Sequence, residues 1–417
     1  MMPPFATRTI EDVTEVLIDY RGKTPRKTSA GIKLITAKVI KDGFVLEGNH
    51  EYIAIEDYEN WMRRGLPQQW DILVTTEAPL GEVAQLRTPE RIALAQRVIL
   101  LRGNPTIIDQ GYYFQAIKSP FVQAELKARS TGTTVLGIKQ SELRWVRIPY
   151  FPLPVQRKIA AILSAYDDLI EVNTRRIAIL EEMARGLYRE WFVRFRYPGH
   201  EGARMVESAV GVVPEGWEVV GTTNAIAVNP PTKVHPEGDK PFVLMNSLST
   251  TSMLISDIAL RSGNNGSKFK NGDTLFARIT PCLENGKTAY VQFLPSDDAV
   301  ACGSTEFIVL RSQTLCSEFV YLFARSDAFR DNAIKSMTGA SGRQRVQEAC
   351  FERFLFAHPD PLTLARFQQL VSPLFRQIQV LADKNAILRR TRDLLLPRLV
   401  AGAVDVAGME LDTRGEP

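Results

Sequence analysis

Apolar and polar positions along the chain follow two different rhythms. Over residues 5–150 the rhythm is short. Apolar, β-rich runs at 32–39, 71–75, 97–101 and 145–149 are separated by turn signals such as Asp42-Gly43 and Gly103-Asn104-Pro105, the pattern of strands joined by tight loops. One helical run is predicted over 110–128, ahead of a Ser130-Thr131-Gly132 turn. Pro152 and Pro154 close this region and open a helix, because proline is tolerated in a first turn. The rhythm then lengthens. Ile159, Ile162, Tyr166, Leu169, Asn173, Arg176, Leu180, Met183 and Leu187 follow steps of three and four, a heptad seam over four repeats. Near the other end Val371, Leu374, Ile378, Leu381, Asn385, Leu388, Arg392, Leu395 and Leu399 repeat it. Each seam has an Asn and an Arg in its interior, devices that set register and orientation. Matched seams predict two long helices that pair with each other; the alternative is that each packs only on its own domain. Because their connections run through whole domains, the expected pairing is antiparallel.

The chain is also written twice. Asp71-Ile72-Leu73 with Pro79 returns as Asp273-Thr274-Leu275 with Pro281, an offset of 273 − 71 = 202. Val98-Ile99-Leu100-Leu101-Arg102 returns as Phe307-Ile308-Val309-Leu310-Arg311, and Ser130-Thr131-Gly132 as Met337-Thr338-Gly339. The offset drifts to 307 − 98 = 209, as loop insertions would make it. A repeat of this length is a duplicated domain with its connector, well beyond the 20–50 residues of a solenoid. The predicted fold is therefore α+β: two similar heads joined by a pair of long antiparallel coiled-coil helices, a pseudo-two-fold internal repeat. The expected boundaries are a first head over 1–151, a first long helix over 152–196, a linker over 197–214, a second head over 215–360, a second long helix over 361–402 and a C-terminal tail over 403–417.

Composition adds little beyond class. With 45% hydrophobic and 24% charged residues the chain reads as globular. No run approaches the roughly 18 apolar residues of a membrane span, and the start lacks a signal-peptide core, so no membrane partner and a cytoplasmic location are expected. Four cysteines without CxxC spacing and four histidines argue for free thiols and against a zinc site. A net charge of +4 permits an anionic partner without demanding one.

Catalytic patterns are missing. Asn229-Pro230-Pro231-Thr232 has the outline of an adenine-methylating motif, but Thr232 stands where an aromatic ring is needed. Asp298 with Glu306-Phe307-Ile308 begins like a nuclease carboxylate cluster, yet Val309 replaces the lysine. No GxxxxGK[ST] loop, GxSxG elbow or Cys/His pairing appears, and no metal site is expected. What is present are loops mixing basic, amide and hydroxyl residues with glycine, the mixture that contacts phosphates and base edges. In the first head these offer Arg21, Lys23, Thr24, Arg26, Lys27, then Arg129, Thr131, Thr133 and Thr134. In the second they offer Asn264, Asn265, Lys268, then Asn285, Lys287, then Ser341, Arg343, Gln344 and Arg345. The last loop of each head is repeat-equivalent, and different side chains on equivalent loops are what two different half-sites need.

Several segments carry a resemblance to a known family. They are Arg21-Gly22-Lys23-Thr24-Pro25, Gly272-Asp273-Thr274-Leu275-Phe276-Ala277-Arg278-Ile279 running on to Glu284-Asn285-Gly286-Lys287, and Ser304-Thr305-Glu306-Phe307-Ile308-Val309-Leu310-Arg311. With them go Gly342-Arg343-Gln344-Arg345-Val346, Leu153-Pro154-Val155-Gln156-Arg157-Lys158-Ile159 and Arg392-Asp393-Leu394-Leu395-Leu396-Pro397-Arg398-Leu399. Over nearly its whole length the chain resembles the specificity (S) subunits of type I restriction–modification systems. It departs from them at Leu364-Ala365-Arg366-Phe367, where a glutamine like Gln156 is usual.

The resemblance implies a non-catalytic reader of double-stranded DNA for phage defence. Its two target-recognition domains would each read half of a bipartite, asymmetric sequence. Its helices would set the spacing and dock two methyltransferase (M) subunits, which bring S-adenosylmethionine; restriction (R) subunits, bound through them, bring ATP and Mg. No cofactor is expected in this chain. The rivals are a two-headed DNA-binding subunit of another phage-defence or DNA-modification complex, a modification enzyme that has lost its catalytic half, and a scaffold joining two proteins.

A ruler made of helix has a measurable consequence. About 38 helical residues span roughly 57 Å, enough for half-sites about one DNA turn, roughly 34–36 Å, apart. Inserting four residues after Thr174, about 6 Å of helix, is expected to lengthen the non-specific spacer by one or two base pairs and leave both half-sites unchanged. Mapping of methylated sites in cells carrying the variant checks this. An active variant with the old spacer and new half-site bases would show that the helix is no ruler.

Overall fold

The computed structural model describes residues 5–20, 22, 24–46, 50–87, 89–340 and 342–410. They form two compact units, Met1–Glu171 with Ala386–Pro417, and Val172–Asn385.

Each unit is built on an antiparallel sheet whose central strands are apolar on both faces. In the first the order is Thr14–Asp19, Val98–Gly103, Ile72–Thr76, Leu80–Gln85. Successive side chains on a strand point to opposite faces. Ile72, Val74, Ile99 and Leu101 therefore share a core with Tyr112, Ile117 and Val122 of two helices, while Leu73, Val98 and Leu100 share another with Leu34, Ile53 and Leu94 of a second sheet. A strand buried on both faces loses polar alternation, which is why the sequence runs Val98-Ile99-Leu100-Leu101.

The second unit repeats the plan with Ile226–Val228, Phe307–Ser312, Thr274–Ala277 and Thr288–Tyr290 in the same order. Phe276, Ile308 and Leu310 face helices, and Leu275, Phe307 and Val309 face the second sheet. Each second sheet holds one parallel pair, Ile32–Ile35 with Ile92–Leu94 at the edge of the first and Asp239–Val243 with Val300–Gly303 at the centre of the other. The copies differ at the edge. Lys27–Thr28 adds to Glu51–Ile53 in one, and Ser267–Lys270 adds to Val300–Gly303 in the other.

One expectation needs correction here. The single helix over 110–128 is two, Gln110–Lys118 and Pro120–Ala128. Ser119 ends the first, and its hydroxyl accepts the Val122 N–H at 3.4 Å to cap the second, with Pro120 at the first helical position, where a missing N–H costs nothing. The linker over 197–214 is folded: Met205–Ser208 and Gly211–Pro214 form a hairpin, and Tyr197 stacks on Trp217 at 5.3 Å. Its strands are short and largely exposed, so they carry no apolar period.

The long helices are Leu153–Tyr188 and Pro361–Val400. In the second unit Asn173 donates to Asn385 at 2.9 Å and Trp191 packs on Phe367 at 5.8 Å. The number rises by 191 − 173 = 18 on one helix while it falls by 385 − 367 = 18 on the other, so the pairing is antiparallel. Ile177, Ala184 and Tyr188 meet Val371, Phe375, Ile378 and Leu381 in that unit's core. In the first unit Ile159 and Leu163 share a core with Leu396 and Leu399.

The seam read from the second helix has the right phase. Ile378, Leu381 and Asn385 are buried, with Leu374, Leu388 and Leu395 half-buried beside them. On the first helix the phase is off by about one residue. Ile159 and Asn173 are buried, and Ile162, Leu180 and Leu187 flank the seam, but Leu169 is 53% exposed and Met183 is 50% exposed. The buried stripe is Ile159, Leu163, Asp167, Ile170, Asn173, Ile177, Glu181, Ala184 and Tyr188. Two carboxylates and an alanine in that stripe hid it from an apolar period. Asp167 is tolerable inside because Arg392 donates to it at 2.6 Å, Gln115 at 2.7 Å and Lys118 at 3.4 Å. Burial opposes its charge, but Lys118 and Arg392 outweigh burial and hold the carboxyl below the usual range.

The corrected phase predicts unequal losses. Leu163→Ala is expected to cost about 2–5 kcal/mol, and Leu169→Ala no more than about 0.5 kcal/mol, in urea denaturation of the full chain. Equal losses would restore the seam as read from the sequence.

Candidate nucleic-acid interface

The same backbone arrangement occurs at one end of the main sheet in each unit. In the first, Thr76 N–H donates to the Arg97 carbonyl at 3.0 Å and Ile138 N–H to the Thr76 carbonyl at 3.0 Å. Thr131 and Gly137 exchange N–H bonds at 2.8 and 2.9 Å, closing a loop beside them. In the second, Arg278 N–H donates to Glu306 at 3.0 Å, Val346 N–H to Arg278 at 2.9 Å, and Thr338 and Arg345 exchange bonds at 3.0 and 2.9 Å. The repeat-equivalent loops of the sequence are thus equivalent in structure. The first requires glycine at its turn: Gly132 has φ +111°, and a Cβ there would lie 2.1 Å from the Val135 carbonyl oxygen, a clash no small shift relieves.

On this common backbone the side chains differ. In the first unit Glu77 Oε1 lies 2.8 Å from Arg97 Nε, and the Thr24 hydroxyl donates to Gln96 Oε1 at 3.3 Å. Gly22, Gln96, Glu77, Thr131, Val135 and Lys139 line a cleft of 330 Å³ there. In the second unit the pair is built from other positions, with Ile279 standing where Glu77 does and Arg345 where Gly137 does. Glu306 holds the position equivalent to Arg97 and accepts from Arg345 Nε at 2.9 Å and Nη2 at 2.6 Å. A cleft of 670 Å³ nearby is lined by Phe242, Asn246, Arg261, Asn265 and Ser304, with the Arg261 guanidinium 4.1 Å over the Phe242 ring.

The predicted site residues distribute unevenly. Arg21, Lys23 and Ser341 lie outside the described residues. Thr24 and Thr131 come together at the first cleft, and Thr133, Thr134 and Arg26 are exposed. Lys27 pairs with Glu51 at 2.7 Å and Arg129 with Glu142 at 3.4 Å. In the second unit Asn264, Asn265, Asn285 and Arg343 are exposed. Lys268 donates to the Gly266 carbonyl at 3.3 Å, and Lys287 to the Met245 carbonyl at 2.8 Å, so Lys287 supports a cleft wall from within the protein. Gln344 N–H is held by the Thr280 hydroxyl at 3.0 Å. Sequence reasoning missed Glu77, Gln96, Arg97, Lys139 and Arg261. The signal for Arg97 was available: it and Glu306 stand directly ahead of the repeated strand runs.

The doubtful chemical motifs have structural duties. Asn229 (φ +48°) exchanges bonds with the Val309 backbone, N–H to carbonyl at 2.8 Å and Val309 N–H to Oδ1 at 2.9 Å. Thr232 accepts from Arg311 Nη2 at 3.0 Å. Among the described residues no group of His, Cys, Asp and Glu could hold a metal ion, and no helix is long and apolar enough to cross a membrane. All four cysteines are free. Burial pushes the Cys302 and Cys350 thiols up, and Cys316 to about 12, so these three are protonated and poor nucleophiles at neutral pH.

Two copies of one head with unlike side chains on one backbone define a duplicated, two-headed fold. The type I restriction modification DNA specificity domain family matches residues 2–182. The chain is 27% identical over 377 residues to the type I restriction enzyme MjaIX specificity subunit of Methanocaldococcus jannaschii, covering 86% of this chain and 85% of that one. It is 28% identical over 205 residues to the Escherichia coli EcoEI specificity subunit, covering 48% of this chain and 34% of the relative. A crystal structure of the type I restriction-modification S subunit from M. genitalium shares the fold with a TM-score of 0.54 at 14% identity, covering 95% of this chain and 96% of that one. The match to that domain family is confined to residues 2–182, while the likeness to the type I specificity subunits runs over most of the chain.

The tie between Glu306 and Arg345 has a pH dependence. Hydrogen bonding from Arg345 holds the Glu306 carboxyl below its ordinary value. A depressed carboxylate stabilises the fold above the unfolded pKa, and the contribution is lost as pH falls through the folded one. Hydrogen exchange at 338–346 is therefore expected to accelerate below the ordinary glutamate range by no more than about five-fold, as a half-exposed pair allows, and in Glu306→Gln already at neutral pH. An exchange rate indifferent to both changes would mean the ion pair does not hold the loop.

Proposed function

We propose that this chain is the DNA sequence-specificity subunit of a type I restriction–modification enzyme, with each head reading one half of a bipartite asymmetric target. The observation that carries this is the pair of equivalent layers, Thr76/Arg97/Gly137 and Arg278/Glu306/Arg345, with one backbone and different side chains. Sequence is read through side chains that meet base edges, while backbone and phosphate contacts set position. A scaffold repeated with its side chains altered at one spot is suited to reading two different half-sites. The chemistry on DNA would belong to other subunits, so the chain acts as a non-catalytic reader in the cytoplasm.

The free faces of the long helices support docking of methyltransferase subunits. On the first helix Val172 and Ile179 are seven apart, with Met183 four further on, all about half exposed and turned away from the buried Ile177 and Ala184. On the second, Ile387 and Leu394 are seven apart and more than 60% exposed. Exposed apolar residues at heptad spacing suit partner helices. Two M subunits, one for each helix face, would bring S-adenosylmethionine, and R subunits bound through them would bring ATP and Mg.

Exchange of residues 215–360 for the second head of a relative with a different target tests this reading. In complex with M subunits the hybrid is expected to change one half of the methylated sequence and keep the other. A hybrid that alters both halves, or methylation of DNA by this chain alone, would overturn it.

A further inference from the structure

The ion pairs at the two equivalent backbone layers bear on how a base is read. Resting on the specificity-subunit reading, we infer that Arg97 in the first head and Arg345 in the second each read a guanine, with Glu77 and Glu306 as the positioning residues that aim them.

The geometry of the two pairs is alike. Glu77 lies 2.8 Å from Arg97 Nε, and Glu306 takes Arg345 Nε and Nη2 at 2.9 and 2.6 Å. Both carboxylates thus engage the side edge of the guanidinium that carries Nε. Of the five N–H donors of arginine, those at the far end face away from Cδ and form a planar fork. That fork matches the O6 and N7 acceptors of guanine in the major groove. Both oxygens of Glu306 are already taken by Arg345, so the pair presents donors outward, and guanine, with two adjacent acceptors, is the matching base.

A purely structural role explains the pairs less well. The guanidinium side chains are 49% and 46% exposed, and exposed ion pairs add little stability. The layer beneath is already closed by the backbone bonds of Thr76 to Arg97 and Arg278 to Glu306. The arginine stands ahead of a strand in one head and on the returning loop in the other, so the two forks approach from opposite walls of the same backbone site. Equivalent heads thereby place a guanine at different positions in their half-sites.

The test uses the full chain in complex with its methyltransferase subunits, selecting bound duplexes from a randomised DNA library. The wild-type complex should return a bipartite sequence with a guanine in each half. Arg97→Ala should lose a preference of roughly 10- to 100-fold for guanine at one position of one half-site and leave the other half unchanged; Arg345→Ala should do the same in the other half. The untouched half-site reports that each variant is folded. Arg97→Lys and Arg345→Lys keep the charge without the fork, so the preference should fall while non-specific binding stays. Glu77→Gln and Glu306→Gln should weaken the same positions. Unchanged base frequencies with uniformly weaker binding and a salt dependence reduced by about one phosphate contact would make these arginines backbone contacts and overturn the inference alone. A wild-type complex that selects no bipartite sequence would overturn the specificity-subunit reading and this inference with it.

Discussion

The register of one strand pair determines which residues meet in the layer at its end, and a buried ion pair pins that register. Asp71 stands opposite Arg102 just outside the paired strands, and Asp273 stands opposite Arg311, each at 2.7 Å with an almost wholly buried carboxylate. Each Asp also accepts a backbone N–H, from Gln68 at 2.7 Å and from Lys270 at 2.8 Å. From this end the antiparallel count runs Ile72 to Leu101 and Thr75 to Val98, which leaves Thr76 opposite Arg97. In the second copy it runs Thr274 to Leu310 and Ala277 to Phe307, leaving Arg278 opposite Glu306. A slip of one residue would turn every apolar side chain to the wrong face and also change which side chains meet at the cleft. Breaking one partner of such a buried pair leaves an uncompensated charge and costs about 3–5 kcal/mol. Stability and the choice of residues in that layer therefore rest on the same register, fixed from the opposite end of the strand.

The long helices use polar layers differently. Asn173 and Asn385 satisfy one another inside the second unit, and Asp167 gathers Arg392, Lys118 and Gln115 inside the first. Glu181 accepts from the Ser252 hydroxyl at 2.6 Å and the Met253 N–H at 2.8 Å. Each is a group that a neighbouring element must meet with a specific partner. An apolar stripe alone would tolerate a sliding helix, whereas these groups are satisfied in one register only, because an unpaired buried polar atom is costly.

This explains what the sequence disclosed and what it withheld. Repeat, strands and long helices were legible because sheet burial and helix pairing impose apolar periods, and the duplication let each copy vouch for the other. The first seam was misphased because its buried face includes Asp167, Glu181 and Ala184, while Leu169 and Met183 on the outer face carry the apolar period. Burial here follows from partners distant in sequence, and no local pattern encodes them. The clefts were half legible for the same reason. Glycine and hydroxyl loops marked the 129–134 and 338–345 turns, but Glu77, Gln96 and Arg97 join the site only through strand pairing.

Duplication also explains why the two heads can diverge in what they present. The backbone layer at each cleft closes through N–H and carbonyl groups that every residue but proline supplies. The side chains above it carry little of the fold's stability, since the pairs they form are half exposed. Arg97 and Glu306 can therefore occupy equivalent positions with opposite charge at almost no structural cost. The Asp–Arg pairs at the other end of the same strands have no such freedom, because their carboxylates are sealed inside. A fold that confines its stability to one end of a strand leaves the other end free to vary, and that separation suits a protein whose two heads read different things.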